Sequence, residues 1–256
     1  YWRAEWRPQP LFSAGSRFQG DLLLVGGAEL GERAAAKLRA WGAANVRTAG
    51  LEGPVASDSP LSHLSAIERY ETAFARLLRD SVSEAGPRRI ALFEREAGPS
   101  ASEAEPLRAH ARVLGLLRAL KAGEDRETEL CLIVPRAHRA LREDSSVDPN
   151  LAAVAALGKA VQWELPRVSV RVLDYGDDVR DLDGLTAELA APLRDDAEYK
   201  VAYRGGGRYV ERIIPAERGA DASAPIAWRT DGVYVVTGGL GGVGLILAER
   251  IAAKGR

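Results

Sequence analysis

Methionine is absent from all 256 residues, so Tyr1 is not a translational start and the chain is expected to be a segment of something larger. Cysteine occurs once, as Cys131 inside the apolar run "ELCLIV". One thiol excludes a disulfide framework, and its apolar setting predicts a buried strand residue in a reducing, cytoplasmic compartment rather than a nucleophile. No apolar run approaches the roughly 20 residues that cross a bilayer, and the N-terminus lacks the basic, apolar, small-residue order of a signal peptide, so no membrane partner is expected. Charge of one sign is missing too: 35 Lys and Arg face 36 Asp and Glu. Without a basic surplus there is no source for phosphate-backbone attraction, and nucleic acid is excluded as a partner. The three histidines, His63, His110 and His138, are too scattered to hold a metal, and His110 reads as a core residue on an apolar helix face. The paired aspartates at 177 and 195 lie in polar stretches and read as solvated turns.

What is present is an alternation of strands and helices. "YWRAEWRPQPL" has the period of a half-buried strand that Pro8 and Pro10 end, suited to a sheet edge. "DLLLVGG" is a buried strand running into a turn, and "ELGERAAAKLRAWGA" a helix that Gly42 closes. After a loop over 52–61, Ser65 and Glu68 stand at capping-box spacing and predict a helix start, with Leu64, Ile67, Tyr70, Phe74, Leu77 and Leu78 on one face. "RRIALFE", "ELCLIVP" and "VSVRVLD" read as further strands. Between them come helices presenting Leu107, His110, Leu114 and Leu117, then Leu151, Val154, Leu157 and Val161; a shorter helix, "LDGLTAELA", follows the last strand. This rhythm predicts an α/β fold, a truncated Rossmann-like doubly wound parallel sheet covered on both faces. "EYKVAYRGGGRYVERII" then breaks the rhythm as a hairpin turning through Gly205, Gly206 and Gly207. The polar, small-residue tract 215–225 opens a linker, and "DGVYVVTGGLGGVGLILAERIAAKGR" starts a fresh strand, turn and helix.

The chain echoes itself. Laying Gly42 over Gly255, an offset of 213, puts Leu22 to Leu24 over Val235 to Thr237, Gly26 over Gly239 and Gly31 over Gly244. Ala28 falls where the later copy has Gly241, and a Cβ there would obstruct close approach of the backbone to a pyrophosphate. In the later copy Gly239, Gly241 and Gly244 fit G-x-G-x-x-G, while Thr237, Gly238, Gly242 and Gly244 fit T-G-x-x-x-G-x-G. Both spacings describe a sharp turn that bares backbone N–H groups and aims a helix N-terminus at an anion. The residue that would select NAD or NADP follows the next strand of such a fold, which these 256 residues do not include. No tyrosine has Lys or Asn four residues later, so the acid pair of a short-chain reductase is not expected within this stretch.

Four segments in order, "YWRAEWRPQPL", "DPNLAAVAALGKAVQWELP", "EYKVAYRGGGRYVERII" and "VYVVTGGLGGVG", make the chain resemble the ketoreductase region of a modular polyketide synthase, of short-chain dehydrogenase type. The resemblance implies a structural, non-cofactor-binding subdomain over 1–214, a linker over 215–231, and the start of a catalytic Rossmann subdomain over 232–256. It implies that the enzyme reduces a β-ketoacyl group on an acyl carrier protein to β-hydroxyacyl with NADPH. Thr237, Gly239, Leu240, Gly241, Gly242, Val243 and Gly244 match the family's cofactor turn. The implied Ser, Tyr and Lys fall past Arg256, so this stretch is expected to hold no catalytic residue and to be inactive alone. Its implied partners are the remainder of the catalytic subdomain, the carrier protein and neighbouring synthase domains of the same polypeptide. The alternative reading is a pseudo-ketoreductase, a scaffold without chemistry beside a dehydratase or methyltransferase domain.

Overall fold

The structure, a computed structural model, describes residues 2–11, 18–43, 45–51, 62–80, 87–94, 104–123, 126–144, 146–176, 178–192, 197–216 and 228–254. The loop expected over 52–61 and the centre of the linker, 217–227, lie outside the described residues. By contact the chain divides into two compact units, Ala4–Arg212 and Ile213–Arg256 with Tyr1–Arg3.

The first unit is built on a mostly parallel sheet. Its strands are β1 (Trp2–Pro8), β2 (Asp21–Gly26), β3 (Val46–Ala49), β4 (Arg88–Phe93), β5 (Thr128–Pro135), β6 (Val168–Tyr175), β7 (Lys200–Arg204) and β8 (Gly207–Pro215), in the order β1-β8-β7-β6-β5-β4-β2-β3. From β3 to β7 neighbouring strands run parallel, and β7 and β8 run antiparallel. This is the doubly wound order short of its third strand among the described residues: the chain leaves β3 and crosses over β2 directly to β4.

The alternation of side chains along the central strands divides the core into two layers. Leu23 and Val25 of β2, with Ile90, Leu92, Leu130 and Leu132, face the helices α2 (Ser62–Arg79), α3 (Ala104–Gly123) and α4 (Pro149–Glu164). Leu22 and Leu24, with Ala91, Cys131, Ile133 and Leu173, face α1 (Ala28–Ala40) and α5 (Val179–Ala190). Continuous apolar runs are what strands covered on both faces require. Asp148 and Asp178 cap α4 and α5, accepting from Asn150 N and Arg180 N at 2.8 Å each. The hairpin closes on two residues, Gly205 and Gly206, at φ +58° and +82°, with Arg204 paired to Gly207. Two successive positive φ angles define the tight turn that matches strand twist, which explains the glycines.

In the first unit the structure departs from the sequence reading at four points. Strand β3 was not anticipated, because "VRTA" offers one buried apolar residue, Val46, and is defined only by its pairing to β2. Helix α2 begins at Ser62, three residues before the expected start. Ser65 lies inside it, its carbonyl accepting from Arg69 Nε at 3.1 Å; capping-box spacing is also that of neighbours on a helical face. Leu64, expected in the core, is 56% exposed. In α3 the buried side is Ala109, Val113, Leu116 and Leu120, whereas His110, Leu114 and Leu117 are half-buried and the side chain of Leu107 is outside the described residues. Small residues set that orientation: a Cβ at Gly115 would lie 2.5 Å from Tyr70 Cβ and 2.9 Å from Ile67 O, so α3 meets the backbone of α2 there.

In the second unit α6 (Gly242–Lys254) follows a turn, but residues 232–236 join no ladder. The expected strand is thus an extended segment among the described residues, since a single strand has no neighbour with which to exchange hydrogen bonds. No described residue of α6 is buried, and Val233, Val235, Leu240 and Val243 are each more than 80% exposed. The expected C-cap Gly255 lies outside the described residues.

Candidate cofactor turn

The turn before α6 is held by its own backbone. Gly239 N donates to Val236 O at 3.0 Å, Gly241 N to Gly238 O at 2.9 Å and Leu245 N to Gly241 O at 2.9 Å. Gly238 sits at φ +73°, a conformation that favours glycine. Gly244 is required by packing within the turn, because a Cβ there would lie 2.2 Å from Gly238 O and 2.7 Å from Gly239 Cα. Gly239 is similarly closed, with Val236 O at 2.9 Å. Gly242 differs, since a Cβ there would meet nothing within 4 Å, and Gly241 has only Gly238 O, at 3.3 Å. Nothing among the described residues of the chain packs against Gly242 and demands a missing side chain. Thr237 and Leu240 lie in the turn and Val243 in the first turn of α6, so the seven predicted residues all fall within 237–244 at one helix N-terminus. The first-turn N–H groups of a helix have no partner within it, and such a terminus suits an anion.

The earlier copy has the same plan with a different finish. Gly31 abuts its own turn as Gly244 does, with Gly26 O 2.8 Å from a Cβ built there. Gly26 and Gly27 take positive φ, and α1 starts at Ala28 with no side-chain cap. A Cβ at Gly27 would strike the Phe93 side chain at 2.6 Å. A cleft of about 430 Å³ lies here, lined in part by Glu29, Glu32, Thr48 and Arg112. Arg112 donates to Glu94. Two carboxylates beside a helix N-terminus offset its partial positive charge and repel a phosphate.

A set of buried charges in the first unit gave no signal in the sequence. Glu188, at the end of α5, accepts from Arg171 Nη2 at 2.5 Å, from Tyr203 Oη at 3.2 Å and from Arg208 Nε. Glu129 pairs with Arg89 and lies 3.6 Å from Arg171. Arg89 also donates to the Leu189 and Ala191 carbonyls at 2.6 and 2.7 Å and lies over the Phe18 ring at 4.3 Å. Burial alone would raise the Glu188 carboxyl, but the Arg171 and Arg208 guanidiniums override it and hold the group below its ordinary range. Burial, then the Glu129 carboxylate, pushes the Cys131 thiol up. Cys131 in the native chain should therefore resist an alkylating reagent at neutral pH and be labelled fully in denaturant, as mass spectrometry would read.

Further charged groups pair with one another at the ends of the strands. His138 Nδ1 lies 3.0 Å from Asp174 Oδ2, and Arg204 bridges Asp174 and Asp144. Asp178 is held down at about 2 by its hydrogen bonds from Arg180; its neighbour Asp177, and Asp195 with Asp196, lie outside the described residues. The side chain of His63 also lies outside them. No cluster fit for a metal occurs among the described residues, and no described helix is long and apolar enough to cross a membrane.

No family model matches the chain. Among curated proteins it is 32% identical over 117 residues to a phenolphthiocerol/phthiocerol polyketide synthase of Mycobacterium tuberculosis, covering 44% of this chain and 6% of that protein. It is 38% identical over 112 residues to the erythronolide synthase EryA3 of Saccharopolyspora erythraea, covering 43% of this chain and 3% of that protein. The chain thus spans a small part of the curated relatives it matches. Among solved structures, A-type ketoreductases from a modular polyketide synthase superpose with a TM-score of 0.64 at 23% identity, over 99% of this chain and 50% of theirs. The chain thus shares the fold of those ketoreductases and, over less than half its length, sequence with modular polyketide synthases.

Proposed function

We propose that the chain supplies the structural subdomain, over 1–214, the linker, over 215–231, and the opening of the cofactor-binding subdomain, over 232–256, of a ketoreductase. The whole enzyme would take a β-ketoacyl group from an acyl carrier protein, accept a hydride from NADPH at the β-carbon and a proton at the oxygen, and return a β-hydroxyacyl group. This chain's part is to hold the pyrophosphate of the cofactor, with Thr237, Gly239, Leu240, Gly241, Gly242, Val243 and Gly244 forming the turn; it holds no catalytic residue. The observation that carries the reading is the open space at Gly242 beside a bare helix N-terminus. A glycine that no packing requires is explained by a ligand that needs the backbone itself. The earlier copy, with Glu29 and Glu32 in place of an open anion site, serves as scaffold.

The test is the chain extended by the roughly 200 residues of one further domain, assayed for NADPH oxidation with a β-ketoacyl thioester. Turnover is expected, and its absence in a folded protein would overturn the reading in favour of a scaffold beside a dehydratase or methyltransferase. In the active protein Gly242→Val should raise the KM for NADPH about 10- to 100-fold, the worth of one to two charge-assisted hydrogen bonds. Its melting temperature should move little, because a Cβ at this position meets none of the described residues within 4 Å.

A further inference from the structure

Residues 228–234 close on themselves just before the candidate cofactor turn. They open with a tight reversal in which Gly232 N donates to Arg229 O at 3.3 Å, and glycine is a favoured last residue of such a turn. The Tyr234 hydroxyl then reaches back along the chain, accepting from Arg229 N at 2.7 Å and donating to Arg229 O at 3.3 Å. Its ring lies 5.4 Å from that of Trp228 at an interplanar angle of 54°, a tilted aromatic pair. Gly232 does not take a positive φ, so its backbone would tolerate a side chain. What excludes one is the Tyr234 ring, whose Cε2 and Oη lie 2.9 Å, and Cζ 3.0 Å, from a Cβ built there. Trp228 and the backbone of Arg229 hold that ring in place.

We propose that this aromatic knot positions the cofactor turn, with Tyr234 fixing the direction in which the chain enters it. Only Val235 and Val236 separate the two, and Val236 O accepts the first hydrogen bond of the turn, from Gly239 N at 3.0 Å. Residues 232–236 join no ladder, so among the described residues no neighbouring strand fixes this segment. The knot at one end and the turn's own bond at the other are what hold it. Fixing a residue's backbone costs conformational entropy, and a turn whose entry is already fixed leaves less of that cost to be met when a ligand binds. The hold on the turn is a property of this chain; its benefit to a cofactor rests on the ketoreductase reading above. Tyr234 is thus a positioning residue and touches no reacting atom.

Amide hydrogen exchange of the chain without cofactor, read residue by residue by NMR, tests the hold. Gly239 N–H should exchange about 3- to 10-fold faster in Tyr234→Phe, which keeps the ring and loses both hydroxyl bonds, and in Gly232→Ala, which keeps the backbone and displaces the ring. Val233→Thr, at a site 93% exposed, should leave the rate unchanged. Neither Gly232 nor Tyr234 is buried, so the variants should fold. In the chain extended by its further domain, Gly232→Ala should raise the KM for NADPH about 5- to 30-fold, the entropy of one ordered residue, with kcat unchanged. Wild-type exchange at Gly239 in both variants would overturn the proposal. So would a fall in kcat at unchanged KM, the mark of lost active enzyme rather than of a turn out of place. An extended wild type without turnover would remove the ketoreductase reading alone, and the exchange rates in this chain would still decide whether the knot holds the turn.

Discussion

Glu188→Ala is expected to cost the fold about 3–5 kcal/mol, the usual penalty for removing one partner from a buried ion network. The carboxylate is 1% exposed and accepts from two guanidiniums and a phenol. Its loss leaves Arg171 and Arg208 charged and desolvated without their counter-ion, which a methyl group cannot replace. Urea denaturation followed by circular dichroism would read the effect as a fall in midpoint at unchanged slope. Lys37→Ala, which removes the partially exposed pair with Asp183, is the control and should change stability by less than about 1 kcal/mol. The same network sets an acid limit. Because the Glu188 carboxyl is lowered in the folded chain, its contribution is fully present above the ordinary carboxylate pKa and is lost as pH falls below it. The wild type should therefore lose stability on acidification more steeply than Glu188→Gln, whose amide does not titrate.

Gly115→Val is expected to destabilise by about 3 kcal/mol, near the upper end for overpacking. Exchanging glycine for a better helix former would ordinarily help an exposed helix position by about 1 kcal/mol or less. Here the first added atom meets Tyr70 Cβ at 2.5 Å, and Glu71 N and Ile67 O at 2.9 Å. These are atoms of the α2 trunk that cannot rotate away, so the two helices must part. Gly158→Ala in α4 is the informative contrast. Its neighbours are Val170 Cγ1 at 2.7 Å and the Tyr199 hydroxyl at 2.8 Å, ends of side chains that can yield by a rotation. Thermal unfolding of the two variants should separate them clearly, with Gly158→Ala much nearer the wild type.

Glycine at position 115 also shows where sequence reading stops. The strands β2, β4 and β5 were legible because a strand covered on both sides carries a continuous apolar run, and "LLLV", "IALF" and "LCLIV" are such runs. The hairpin was legible because only glycine takes two positive φ angles in succession at no cost. The buried face of α3 was not, since a side built of glycine and alanine lets another helix come close without adding to any hydrophobic pattern. Glu129, Arg171 and Glu188 were invisible for a related reason: single charges in apolar stretches look like solvated positions, and partners 17 to 42 residues apart are matched only by the folded chain. At the candidate cofactor turn the glycines could be named from spacing alone. Which of them answer to packing, Gly239 and Gly244, and which to open space, Gly242, required coordinates.

The position of β1 beside β8 has a consequence for how the chain comes to be made. Arg208 donates to the Gln9 carbonyl across 199 residues of sequence, so β1 is made well before the hairpin that it docks on. Closing so long a loop delays the contact. During translation the Trp2–Pro8 segment would remain uncommitted and open to proteases or chaperones, and its docking on β8 would mark the moment at which the sheet is complete.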